Sequence, residues 1–246
     1  MAASFKKALA VFVIAALMVF IPCRVYGEEN EYSIMIDECS VVISINTDDD
    51  YALVITKDGV DQVHKFSDDV VVPLTLGEGE YEIKFYRRYE GNQYERLETY
   101  SVHGEENDYL APNRYVDYDD TCPEIIKALE IDQKDISTEE KIEKIAKQIR
   151  FDFHYSYIKV YQVTRNPGYV PDLHELGFLS GAICYDYASA FAGALRSIGI
   201  PCRLCMGYVG KSYHAWNEYY LNGEWVFIDL LNVSKDMNRY QKEFQY

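Results

Sequence analysis

Asn222-Gly223 stands between two strand-like runs, residues 213–221 and 224–230. Asn-Gly readily supplies two consecutive positive φ angles, as a two-residue type I′ turn requires. The twist of that turn matches a pair of antiparallel strands. A hairpin is therefore expected in which Leu221 faces Glu224. Carried along the strands, the register sets Trp216 opposite Asp229 and His214 opposite Leu231. Alternation then puts His214 and Asp229 on one face. They become diagonal neighbours, about 7–8 Å apart at the backbone and within reach of long side chains.

Upstream, residues 183–198 read as an Ala-rich helix that stops at Gly199, with Pro201 two residues further on. Cys184 falls in or just before its first turn. There the helix dipole and unpaired N–H groups favour an anion and can hydrogen-bond a developing oxyanion. A thiol at a helix start, an imidazole and a carboxylate form the set that covalent catalysis by cysteine requires. Cys184, His214 and Asp229 are the candidate catalytic residues. Asp186, in the same first turn, reads as an anion that suits the helix start.

The blocks Ala182-Ile183-Cys184-Tyr185-Asp186-Tyr187-Ala188, Leu195-Arg196-Ser197-Ile198-Gly199-Ile200-Pro201-Cys202-Arg203, Gly207-Tyr208, His214-Ala215-Trp216-Asn217-Glu218 and Trp225-Val226-Phe227-Ile228-Asp229 resemble the bacterial transglutaminase-like superfamily. The resemblance covers residues 138–232. It implies a papain-like core with Cys184 as nucleophile, His214 as base and Asp229 as orienting acid. Two positions depart from the pattern. Ala182 stands where many members have Gly, and Leu230-Leu231 follows Asp229 in place of Pro or Thr. The candidates for an additional oxyanion donor are Tyr155 and Tyr157, in an aromatic stretch (residues 151–161) that reads as extended.

The expected fold class is α+β, a transglutaminase-like core preceded by a small all-β sandwich. Residues 28–103 hold seven β-branched or aromatic runs broken by Asp48-Asp49-Asp50, Asp58-Gly59, Gly77-Glu78-Gly79 and Gly91-Asn92, the spacing of a small sandwich. No clustered His, Cys or paired acids give this region a chemistry. Residues 104–122 read as a linker, and residues 123–246 as the catalytic domain. Pro123 suits the first position of a helix. Ser137 with Glu140 makes a capping box, followed by Ile142, Ile145 and Ile149 at helical spacing.

Residues 1–27 read as an export signal. Lys6 and Lys7 precede an apolar run over residues 8–22, shorter than the about 20 residues of a spanning helix. This predicts a secreted or cell-surface protein, with an uncleaved N-terminal anchor as the alternative. The formal charge of −16 becomes three units more negative without Lys6, Lys7 and Arg24. Such a surface repels nucleic acid and anionic lipid. Beyond Cys23 the cysteines are Cys39, Cys122, Cys184, Cys202 and Cys205. An odd number leaves at least one thiol free or paired between molecules. Cys202 and Cys205 form a lone C-x-x-C within a strand, where residues three apart point to opposite faces. They read as buried small residues, and no metal or organic cofactor is expected. The function expected is cysteine-dependent attack on amide or peptide bonds through a thioester, as protease, amidase or transamidase. Partners would be protein or peptide substrates, cell-wall peptide among them. A non-catalytic surface binding protein that keeps this fold is the rival reading.

Overall fold

The computed structural model describes residues 23–26, 31–107, 109–166, 168–177 and 179–246. The proposed signal segment lies outside the described residues apart from Cys23–Tyr26, which forms β1 and pairs antiparallel with β2, Tyr32–Ile36.

The first half is a sandwich of two four-stranded antiparallel sheets. One has the order β1-β2-β3-β6, with β3 at Ser40–Ile45 and β6 at Val70–Pro73. The other has the order β5-β4-β7-β8, with β4 at Tyr51–Lys57, β5 at Val60–Phe66, β7 at Gly79–Glu90 and β8 at Gln93–Gly104. Alternation decides which face is dry. Tyr81, Ile83 and Phe85 are buried while Glu80 and Glu82 face solvent. These three residues meet Ile34, Val41, Ile43 and Val72 of the facing sheet in one apolar cluster.

Residues 104–122 are not a loose tether. Tyr109, Asn113 and Val116 are buried, and their neighbours bond to both halves. Arg114 N donates to Val71 O at 2.8 Å, and Ser189 Oγ donates to Tyr115 O at 2.7 Å. Burial and the nearby Arg114 charge lower the His64 pKa to about 4, so its ring is neutral at ordinary pH. His64 Nδ1 lies 2.6 Å from the Tyr115 hydroxyl and can accept a hydrogen bond from it. The Asp, Tyr, Gly and Asn of residues 104–122 give this segment the composition of a linker. Its few apolar residues nevertheless find partners on both sides.

The second half has its own core. Helices α1 (Pro123–Asp132) and α2 (Thr138–Asp152) pack against α4, Cys184–Ser197. Ser137 caps α2 as expected, accepting from Glu140 N at 3.2 Å. The residue 151–161 stretch is corrected: α2 runs on to Asp152 and Tyr157–Val163 forms α3, leaving only residues 153–156 between them. Its β-branched and aromatic side chains favour strand, but Ser156 Oγ accepts from Lys159 N at 3.2 Å and nucleates the turn.

α4 lies on an antiparallel sheet of order β11-β10-β9-β12, with β9 at Cys202–Val209, β10 at Ser212–Leu221, β11 at Glu224–Ile228 and β12 at Tyr240–Gln245. The hairpin turn is as expected. Asn222 and Gly223 have φ of 54° and 92°, and Leu221 pairs with Glu224. The paired register stops at Asn217 and Ile228, however. The Trp216–Asp229 and His214–Leu231 pairs are not formed, because the chain turns away at Asp229. β12 was not anticipated from sequence. Its bulge between Lys242 and Phe244 brings backbone against Gly207, where a Cβ would sit 2.0 Å from Gln241 O.

Arg196 ties these pieces together. It is 3% exposed and donates to Cys202 O at 2.9 Å, Ala111 O at 2.8 Å and Tyr246 O at 2.7 Å. Replacing it by Met leaves buried acceptors without donors. Arg196→Met is expected to cost about 3 kcal/mol and to lower Tm by roughly 6–12 °C for a chain of this size. A thermal melt within about 2 °C of the parent would refute that role.

Candidate active site

Cys184 is the first residue of α4, after Ile183 in extended conformation. The start of the helix is fixed by a carboxylate. Asp186 is fully buried, and its Oδ2 accepts from Ile183 N at 2.8 Å. Burying a carboxylate requires compensation. Lys159 of α3 supplies it at 2.8 Å from Oδ2, and the Tyr169 hydroxyl donates to Oδ1. Asp186 is therefore the helix-start anion that was expected, and it also anchors α3 and the loop after it. Gly181 has φ +68°, and a Cβ there would lie 2.7 Å from Ser156 Cβ. Glycine at this position allows the loop to close onto the segment before Cys184.

Asp229 and His214 meet although the strand pairs expected around them do not form, with His214 Nε2 3.0 Å from Asp229 Oδ2. The His214 side chain also interacts with Cys184. Burial alone would lower the His214 pKa. Hydrogen bonds to Asp229 and Cys184, with the charge of each, outweigh burial and raise it to about 9. Burial would raise Asp229, but the His214 and Tyr240 hydrogen bonds, the His214 charge and the Val233 amide hold it at about 2. The structure thus brings Cys184, His214 and Asp229 into one constellation.

Tyr240 was missed from sequence. Its hydroxyl donates to Asp229 Oδ2 at 2.7 Å. The amides of Leu231 and Val233 complete the carboxylate at 2.9 Å and 3.0 Å. Trp216 lies nearly parallel to the His214 ring and edge-on to Tyr240, closing the buried side of the pair. Of the two proposed oxyanion tyrosines, Tyr155 bridges to Ala182, and burial and the charge of Cys184 both raise its hydroxyl pKa. Tyr157 is 81% exposed and packs edge-on against Tyr155. Tyr213, half exposed, flanks the thiol from β10, with Cys184 among the charges acting on it.

Cys122, Cys184, Cys202 and Cys205 are free thiols. Cys202 and Cys205 are fully buried, and burial raises both, Cys202 to about 12. They are the inert small residues expected. A second thiol, imidazole and carboxylate meet at Cys122, His174 and Asp119. Here the thiol points to the carboxylate, and His174 Nε2 and Nδ1 face Asp119 and Asp172 at 3.2 Å and 3.4 Å. With both ring nitrogens held by acids, this group has no imidazole nitrogen directed at the thiol and lacks the geometry of a nucleophile with its base.

The raised His214 pKa has a definite consequence for stability. A group whose folded pKa exceeds its ordinary value of 6.5 stabilises fully below that value and loses the contribution as pH rises through about 9. The urea midpoint of the parent should therefore fall between pH 6.5 and 9 relative to that of His214→Gln. Two midpoints that run parallel across this window would contradict the pairing.

No curated protein matches the sequence. Among solved structures, the crystal structure of a TGase is 20% identical over 50% of this chain, with a TM-score of 0.38; the chain spans 34% of its length. A structure described as a candidate cysteine protease from Cytophaga hutchinsonii is 14% identical over 82% of this chain and 73% of its own, with a TM-score of 0.44. Residues 127–230 match the family described as the transglutaminase-like superfamily. This region, which holds Cys184, His214 and Asp229, is the part of the chain that is similar to that superfamily.

Proposed function

We propose that this chain is an exported cysteine enzyme that opens amide or peptide bonds through a thioester on Cys184. The observation that carries the reading is His214, held by Asp229 on one ring nitrogen and interacting with the Cys184 thiol. The Cys184 sulfur forms a bond to the carbonyl carbon while its proton resides on His214. The oxyanion is met by the Cys184 N–H, which the first helical turn leaves without a carbonyl partner. Collapse breaks the carbon–nitrogen bond, and His214 gives its proton to the departing amine. Water or a second amine then attacks the thioester, His214 takes the acceptor's proton, and the carbon–sulfur bond breaks. Asp229 keeps the imidazole oriented and steadies its charge throughout.

The substrate is a protein or peptide, with cell-wall peptide one candidate. Tyr155, Tyr157 and Tyr213 beside the thiol offer ring faces to the chain on either side of the reacting bond. The partners are neutral or basic, in keeping with the acidic surface.

Accessibility makes a labelling test direct. Cys122, Cys202 and Cys205 are buried, whereas Cys184 and Cys39 are partly exposed. Iodoacetamide at mildly acidic pH should modify Cys184 at least tenfold faster than any other cysteine of the chain, and His214→Ala should erase that preference. Equal rates in the parent would sink the catalytic reading. Incubation with glutamine-containing peptides, with and without a primary amine, then identifies the acceptor. Amine incorporation lost in Cys184→Ala indicates transamidation; cleavage alone indicates hydrolysis.

Tyr240 acts through Asp229. Tyr240→Phe removes one donor from the carboxylate that orients the imidazole and should lower kcat/KM about tenfold, equivalent to about 1.4 kcal/mol. The Cys184 labelling preference should shrink in step. Unchanged labelling would assign Tyr240 a purely structural role.

A further inference from the structure

We propose that Asp119, Cys122 and His174 form a binding site for a divalent transition metal of the zinc type. Their ligand atoms all lie within 4.8 Å of one another. Asp119 Oδ2 is 3.2 Å from His174 Nε2, and Asp119 Oδ1 is 3.9 Å from Cys122 Sγ. An ion bound at about 2.0–2.3 Å from each donor spans separations of this size, with shifts of a few tenths of an ångström.

The donor set selects the metal. Thiolate sulfur, imidazole nitrogen and one carboxylate oxygen suit zinc or cobalt, whereas magnesium and calcium prefer all-oxygen shells. The surroundings also fit. His174 Nδ1 faces Asp172 at 3.4 Å, the kind of outer carboxylate that orients a metal-bound imidazole. Cys122 is 0% exposed, while the side chains of Asp119 and His174 are 54% and 46% exposed. The sulfur is thus covered by protein, and an ion approaches from the solvent side, where Asp119 and Asp172 concentrate negative charge.

The site joins two distant parts of the second half. Asp119 and Cys122 immediately precede α1, and His174 lies in the loop between α3 and the nucleophile helix. A bound ion pins that loop to the start of α1, near the Tyr169 contact that already fixes it to Asp186.

The triad itself offers a thiol and an imidazole, so the test uses the full chain carrying Cys184→Ala. Titration with Co²⁺ should produce a thiolate-to-cobalt charge-transfer band that saturates at one equivalent and is displaced by Zn²⁺. Adding Cys122→Ser should abolish the band, and adding His174→Gln, at a surface position that leaves folding intact, should weaken Co²⁺ binding at least tenfold. Zn²⁺ should also raise Tm in the Cys184→Ala chain and not in its His174→Gln derivative. Absence of the band, or a band that survives Cys122→Ser or is unaffected by His174→Gln, overturns the proposal. Because the nucleophile is removed throughout, the outcome is independent of whether the chain is a cysteine enzyme.

Discussion

Asp229 carries a charge that the fold has to pay for in every element around it. Removing a carboxylate from water costs several kcal/mol unless donors replace the solvent. Here four donors do so: the His214 ring, the Tyr240 hydroxyl and the Leu231 and Val233 amides. His214 comes from β10, Tyr240 from β12, and the amides from the turn after β11. The carboxylate is satisfied only when all three segments are assembled, so ordering the sheet and orienting the imidazole are one event. This also accounts for Gly207. Without a Cβ it admits the bulged backbone of β12, and β12 begins with Tyr240.

A second buried carboxylate does the same for Cys184. Asp186 holds the first turn of α4 through Ile183 N and is itself neutralised by Lys159 and Tyr169. Two short pieces with little core of their own, α3 and the loop at Tyr169, are thereby recruited to the thiol. No residue of α3 is fully buried, so it is held by its cap and by this ion pair more than by packing. Loss of the Lys159 charge would leave Asp186 uncompensated in the core.

The site was legible in sequence where local chemistry dictates geometry. Asn222-Gly223 has few conformations that continue both strands, so the register followed as far as Asn217 and Ile228 and carried Asp229 to the neighbourhood of His214. The same holds for Asp58-Gly59, whose φ values of 51° and 78° close the β4–β5 hairpin. Alternation at Tyr81, Ile83 and Phe85 likewise gave the sandwich face. What escaped depends on distant partners. The α3 residues carry strand propensity, and only Ser156, three before Lys159, signalled the cap. β12 pairs with a strand laid down much earlier in the chain, and its alternation is weak. Tyr240 could not be linked to Asp229 without that pairing, nor Asp119 and Cys122 to His174 without the packing of α1 and α2 between them.

The end of the hairpin ladder shows why an imperfect register serves the chemistry better than a perfect one. Had pairing continued past Ile228, Asp229 would stand on the pleat opposite Trp216, its backbone groups committed to the ladder. By leaving the sheet there, the chain frees the amides of Leu231 and Val233 to turn back onto the carboxylate. The Asp229 oxygen that faces His214 is then also the one gripped by Tyr240 and Val233. A regular strand would supply alternation and approximate proximity. The break after Ile228 supplies the convergent donors that hold the carboxylate ionised and fixed beside the imidazole.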